Sequence, residues 1–216
     1  MEYLSRSNRV LLSLAVVALT LFLFLSSFYL FLYNPRFYDN QYVHNGVYDA
    51  LGYEQTWEMT RLLWAYMKEG GELSSQYYSE RDILHMVDVR NILLFVEALY
   101  FAVSLTFILL VFYFFTFNKR DFKFFLYDLF FSTCIFCFLL LVFFVFLSFF
   151  FTESFTIFHR FAFTNDYWLM DPATDQLIHL FPEQFFLTFF LSVLGVTLLF
   201  LVVLFGLSWY IKKRYL

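Results

Sequence analysis

The sequence predicts an all-α membrane protein, four transmembrane helices with a small extracytoplasmic cap, and three observations carry that reading. Of its 216 residues 62% are hydrophobic, 26% aromatic and only 15% charged, with Phe alone occurring 36 times. Soluble domains run near 45–50% apolar and about 25% charged, and a chain this short has too little core to hide so many rings from water. Four long stretches carry no charge at all: Val10–Pro35, Ala98–Asn118, Leu129–Thr152 and Gln184–Ile211. Each exceeds the about 20 helical residues that cross the hydrocarbon core. Finally, the basic residues cluster at alternate ends of these stretches, as the positive-inside rule demands of cytoplasmic segments. This composition excludes a soluble enzyme and a disordered chain. The net charge of −4 speaks against a nucleic-acid binder, and two cysteines cannot make a disulfide scaffold.

The chain reads as one integral membrane domain, residues 1–216. Its transmembrane helices fall at about 10–33, 92–117, 128–151 and 185–210, with a cap formed from 34–90 and 152–184. Pro35, Pro172 and Pro182 lie outside the uncharged stretches, as intact helices require. The first stretch has the basic start of a signal peptide, but its apolar core is far longer than the about 7–15 residues of such a segment, so it reads as a permanent helix. Arg6 and Arg9 precede helix one, Lys119, Arg120 and Lys123 fill the turn between helices two and three, and Lys212, Lys213 and Arg214 follow helix four. Both termini are therefore expected in the cytoplasm, with the two long acidic connections outside the plasma membrane.

The outer segments carry folding signals of their own. Asn45–Gly46 marks a tight turn. Glu54–Lys68 reads as an amphipathic helix with Trp57, Thr60, Leu63, Trp64 and Met67 on one face, ended by Gly70–Gly71. Ser79, with Asp82 three residues on, caps a second helix that runs straight into transmembrane helix two.

All four histidines (His44, His85, His159, His179) lie in the outer segments. His44 and His179 read as structural. His85 has Asp82 three residues before it and Asp88 three after, a spacing that sets both carboxylates beside the ring on a helix. The plainer alternative is a surface ladder of ion pairs with Arg81 and Arg90. His159 lies a few residues beyond the expected end of helix three. Two histidines at one lipid–water boundary can act as general base and general acid near pH 7. Cys134 and Cys137 have the spacing of a redox pair but lie mid-membrane and read as buried small hydrophobes. Glu97, one turn into helix two, is expected to face the bundle interior or a polar cavity. Trp57, Trp64 and Trp168 are belt residues or the walls of a lipid pocket, with the belt favoured.

The run Phe158-His159-Arg160-Phe161, Asn165-Asp166-Tyr167-Trp168-Leu169-Met170-Asp171-Pro172, Asp175-Gln176-Leu177-Ile178 and Phe181-Pro182-Glu183-Gln184-Phe185-Phe186, preceded by His85-Met86-Val87-Asp88-Val89, resembles the lipoprotein intramolecular transacylase family. The likeness extends over the whole chain in helix number and in the spacing of the outer segments. It implies an integral membrane enzyme of low-GC Gram-positive bacteria that moves the sn-2 acyl chain of a diacylated lipoprotein to the α-amine of its N-terminal cysteine. It also implies His85 and His159 as the catalytic pair, with no cofactor, metal or acyl carrier. Asp88 is the candidate orienter, and Asn165 and Trp168 are candidate substrate contacts. The sequence leaves open which histidine is the base, although flanking carboxylates favour His85. Two rivals remain at this stage: a metal-dependent membrane hydrolase using both histidines, and an accessory protein whose cap binds a partner.

Overall fold

The computed structural model describes residues 6–119 and 122–215, so Arg120 of the basic turn lies outside the described residues. Nine helices are described: α1 (Arg6–Leu32), α2 (Pro35–His44), α3 (Val47–Leu51), α4 (Tyr53–Glu69), α5 (Glu80–Phe117), α6 (Phe122–Ser148), α7 (Phe151–Ala162), α8 (Leu177–Leu180) and α9 (Glu183–Tyr215). Among the described residues there is no strand. The helices α1, α5, α6 and α9 are long and apolar enough to cross a membrane. Each carries most of one uncharged stretch, so the fold is an all-α membrane protein with four spanning helices.

The chain forms two compact units. The first comprises residues 1–29, 97–146 and 192–216. Here α1 buries Leu12, Ala15, Val16, Leu19 and Leu23, and Ala15 and Ala18 are small enough to let a neighbouring backbone approach closely. No water is available to hydroxyls in such a setting, so buried ones turn to protein acceptors, although that of Thr133 has none. Thr20 donates to the Val16 carbonyl at 2.8 Å, Ser27 to Leu23 at 2.9 Å, and Thr197 reaches Ser27 Oγ at 2.9 Å. Phe114 and Phe125, both fully buried, stack at 3.8 Å where the chain nears the turn from α5 to α6. Cys134 and Cys137 are free thiols, as expected of packing residues. Phe101, Leu105, Ile108, Phe112 and Phe115 recur every three or four residues along α5 and are exposed, the row that lipid covers. Glu97 is exposed, so of the two settings expected of it the bundle interior is not the one it takes.

The second unit comprises residues 30–96 and 147–191. Its core is aromatic and sulfur-rich: Tyr38, Tyr42, Met59, Tyr66, Met67, Tyr78 and Phe185 are all buried. The buried phenols of Tyr38, Tyr42 and Tyr78 each keep a hydrogen bond, because an orphaned hydroxyl would cost about 1–3 kcal/mol. Tyr42 Oη lies 2.7 Å from Thr60 Oγ1, and Tyr78 donates to the Met59 carbonyl at 2.7 Å. Trp57 and Trp64 pack against this core beside Tyr42 and Tyr38, so they belong to the fold and not to a belt.

Helix boundaries here follow local rules. Asn34 Oδ1 accepts from the amides of Arg36 and Phe37 while Pro35 opens α2. Gly46, at φ +67°, turns the chain from α2 into α3. α4 buries Thr56, Met59, Thr60, Leu63 and Met67 and stops at Gly70. Gly70, at φ +82°, has a second reason to be glycine: a Cβ there would sit 2.9 Å from Arg90 Nη2. Arg90 occupies that space because its Nε donates to the Tyr66 carbonyl at 3.0 Å. The uninterrupted α5 matches the absence of a stop signal after Ser79.

Candidate active site

The first turn of α5 organises the site. Ser79 Oγ accepts from the Asp82 amide at 3.0 Å, and Asp82 Oδ2 accepts from the Ser79 amide at 3.0 Å, a reciprocal cap. The Asp82 carboxylate, fully buried, also accepts from the amides of Gln176 at 2.9 Å and Leu177 at 3.4 Å. It thereby caps α8 as well, and of the two carboxylates expected beside His85 this one is committed to backbone. Beside it, Ser79 donates to Asp175 Oδ1 at 2.7 Å, and the Asp171 amide donates to Asp175 Oδ2 at 2.7 Å. Burial pushes the Asp175 carboxyl up, but these hydrogen bonds, with Thr174 and the nearby Arg81 charge, hold it below the usual carboxylate range. Arg81 Nη1 donates to the carbonyls of Leu169 at 2.8 Å and Asp166 at 3.2 Å. Among the described residues no ladder of ion pairs forms from Arg81 and Arg90; both guanidinium groups serve backbone carbonyls.

This clamp holds the segment 163–176 against the turn that precedes His85. His85 and His159 are both buried, with ring centroids 6.1 Å apart and planes inclined by 26°. Phe163 meets His85 edge-on at 4.9 Å and lies 5.6 Å from His159. Phe155, one turn earlier on α7, packs on His159 at 4.2 Å, and Trp168 covers it at 5.2 Å. His159 is carried by the separate helix α7 and not by an extension of the third span.

The two rings differ in what they are bonded to. His159 Nδ1 lies 2.7 Å from the Phe155 carbonyl, which can only accept, so this nitrogen carries the hydrogen. The neutral ring therefore presents the lone pair of Nε2. His85 Nδ1 is buried and has no hydrogen-bond partner. Both residues lie outside the uncharged stretches, His85 before Ala98 and His159 between Thr152 and Gln184. Burial, then the neighbouring His159, lowers the pKa of His85 to about 4 against the weaker pull of Asp88. Burial also lowers that of His159, opposed by its bond to Phe155. Both shifts favour the neutral ring.

Asp88 accepts from Asn165 Nδ2 at 2.8 Å and so acts on His85 by charge, not by a hydrogen bond. Asn165 is the knot of its loop: Oδ1 accepts from the Tyr167 amide at 3.1 Å and its carbonyl accepts from Trp168 Nε1 at 3.0 Å. Asp88, Asn91 and Asn165 form the polar end of an open cleft of about 310 Å³, and Ile92, Phe95 and Phe163 its apolar end. Five candidates, His85, Asp88, His159, Asn165 and Trp168, thus come together. His44 and His179 do not join them: His44 Nδ1 is bonded to the Asn40 carbonyl and His179 Nε2 to that of Pro172. Among the described residues no three His, Cys, Asp or Glu side chains converge as metal ligands would. The walls Phe155 and Phe163 were not singled out by sequence, and Arg81 was read only as an ion-pair partner, although Phe155 sits one helical turn from His159 and Arg81 one from His85.

Four spanning helices and a pair of aromatic-walled histidines put the chain among integral membrane enzymes, and the comparisons define the class as acyltransferase. The chain belongs to the family described as lipoprotein intramolecular transacylase Lit, which it matches over residues 13–186. Comparison with curated proteins gives no match. Among solved structures, the integral membrane lipoprotein intramolecular transacylase Lit of Bacillus cereus, determined in meso, has the same fold. The TM-score is 0.78 at 21% identity, covering 96% of this chain and 97% of that one. Two variants of that protein, with one histidine replaced by arginine or by alanine, match with TM-scores of 0.76 and 0.77 at 22% identity. They cover 96% of this chain, and 93% and 94% of theirs.

Proposed function

We propose that the enzyme moves an acyl chain from the sn-2 oxygen of a lipoprotein's diacylglyceryl group to the α-amine of the same lipoprotein's N-terminal cysteine. One observation carries this reading: two neutral histidines face each other between aromatic rings, one of them locked as an acceptor. Transfer within one molecule passes through a ring of about eight atoms, which forms slowly when the tether is free. Holding the amine and ester carbon at about 3–3.5 Å recovers the large effective molarity of an oriented pair. Rigid rings such as Phe155, Phe163 and Trp168 confine lipid-like groups with little entropy cost of their own.

The proton balance follows from the ring states. The α-amine, with a pKa of about 7.7–8.0, attacks in its neutral form. As the C–N bond forms, His159 Nε2 accepts its proton. The C–O bond to glycerol then breaks and the departing oxygen takes a proton back. Because both rings begin neutral, no acid is loaded beforehand, and the proton that leaves nitrogen is the one that reaches oxygen. His85, with no partner fixing its Nδ1, is free to change tautomer and can relay that proton. The structure thus favours His159 as base, reversing the preference drawn from the flanking carboxylates. Asp88 positions Asn165 and tempers His85 by its charge. The exchange of an ester for an amide is downhill and consumes no second acyl donor.

The crossed-label experiment tests intramolecularity. One lipoprotein carrying isotope-labelled acyl chains is mixed with another of distinguishable peptide mass, and the amide-linked products are weighed. The expected outcome is no crossed product; label on the other peptide's nitrogen would mean a free donor or a covalent acyl-enzyme.

The basic clusters support termini in the cytoplasm and the histidine pair outside. In intact cells a cysteine placed at Glu72 is expected to react with an impermeant thiol reagent, and one at Lys119 to stay unlabelled. The reverse pattern would turn the site to face the cytoplasm.

A further inference from the structure

Helix α7 has three faces where a surface helix has two. With about 100° between successive residues, a helix this short presents each residue type in a definite sector. Phe155 and the buried His159 occupy the sector packed into the protein. Thr152, Glu153, Thr156 and Arg160 fill a second, polar sector. Ile157 and Phe158, each 53% exposed, and Phe161, 87% exposed, form a third sector with Phe150, 52% exposed, just ahead of the helix. Among the described residues Phe161 has no ring partner.

A water-surrounded cap would not hold such a stripe bare, because contiguous exposed apolar surface marks a docking face. The occupant is indicated by the chain itself. α6, the most apolar of the spans with α9, ends at Ser148, and only Phe149 and Phe150 precede α7. Exposed Phe138, Leu139, Val142, Phe143 and Phe146 on α6 lead directly into exposed Phe149 and Phe150. In sequence, two exposed phenylalanines are all that separate the end of the span from the helix that bears the bare stripe. A helix with one face in protein, one polar and one apolar is the form that lies in the membrane interface, where it meets protein, headgroups and acyl chains at once.

We propose that α7 is an interfacial helix whose Ile157–Phe158–Phe161 stripe is immersed in the acyl region of the bilayer. His159 lies about 160° around the helix from Phe161, so the lipid seat of the stripe fixes the depth at which the ring is held. The proposal concerns lipid contact alone and holds whether or not His159 is the base.

Site-directed spin labelling tests it in the full chain. Cys134→Ala and Cys137→Ala remove the native thiols, and Phe161→Cys, Ile157→Cys, Thr156→Cys and Glu153→Cys each carry a nitroxide. The proteins are reconstituted in phosphatidylcholine–phosphatidylglycerol vesicles and probed with dissolved oxygen and a water-soluble nickel chelate. At positions 161 and 157 oxygen is expected to relax the label several-fold more than the chelate, and at 153 and 156 the order is expected to reverse. Equal chelate access at 161 and 153 would overturn the proposal by placing the stripe in water. Protection of 161 and 157 from both reagents would also overturn it, by showing the stripe covered by protein such as a second copy. Two stripe positions guard against a single label disturbing the helix.

Discussion

His159→Ala is expected to lower acyl transfer by about 10²-fold or more while leaving an extractable, folded protein. The loss follows from the Nδ1–H bond to the Phe155 carbonyl, which commits the ring to accept a proton at Nε2. His85→Ala is expected to cost a similar factor, since it removes the partner ring 6.1 Å away through which the proton returns. Residues acting on one proton are not additive, so the double variant should be little slower than either single. The pH profile separates the roles. Protonation of the substrate α-amine gives every variant one fall in rate below about pH 7.7–8.0. Because burial lowers the pKa of both rings, the protonation of His159 should add a separate acid limb below the usual histidine range. His85→Ala should keep that acid limb, and His159→Ala, measured on its residual turnover, should lose it. The opposite assignment of the limb would make His85 the base. Stability shares the same sign: the unfolded chain binds protons near pH 6.5 that the folded rings refuse, so folding weakens as pH drops from there towards 4. His44→Ala and His179→Ala should retain most activity, because each ring serves only a local carbonyl. A loss at either comparable to that at His159 would end the two-histidine reading.

The spans were readable because lipid leaves a composition signature: long runs without charge need no knowledge of partners. The amphipathic α4 and the Ser79–Asp82 cap were readable for a related reason, since their signals are local. What failed to show was everything set by distant contacts. Asp82 looks like a partner for His85 by helical spacing, yet its oxygens are taken by amides 94 and 95 positions away. Trp57 and Trp64 have the composition of a membrane belt, and only the packing of Tyr38 and Tyr42 against them reveals a core. The break between α6 and α7 falls in an all-phenylalanine run with neither Pro nor Gly, and Phe150, at φ −121° and ψ 48°, has no side-chain cap to announce it. His85 and His159 were found by resemblance and by their position at the span ends. The difference between them became visible only with the Phe155 carbonyl in place.

Asp82→Ala is expected to be the most destabilising single change in the histidine-bearing unit. The side chain is fully buried and its two oxygens serve three amides, those of Ser79, Gln176 and Leu177. Alanine leaves those donors without an acceptor, and a buried donor left unpaired costs about 1–3 kcal/mol. Partial access of water to the loop tempers the sum, giving a loss of about 3 kcal/mol or more. At about 2–4 °C per kcal/mol for a chain of this size, the melting midpoint in detergent should fall by about 6–12 °C. Asp82→Asn keeps one acceptor oxygen and should recover part of that fall. Glu80→Ala, on the same helical turn but exposed, should change stability by no more than about 0.5 kcal/mol. The two ends of the carboxylate's work can be told apart. If Asp82 only staples α8 to the start of α5, Asp82→Ala assayed well below its melting point should retain the wild-type acid limb, because that limb belongs to His159. A variant that melted with the wild type but lost that limb would mean Asp82 acts on the histidines after all, and the division of labour between Asp82 as staple and Asp88 as the charge near His85 would have to be withdrawn.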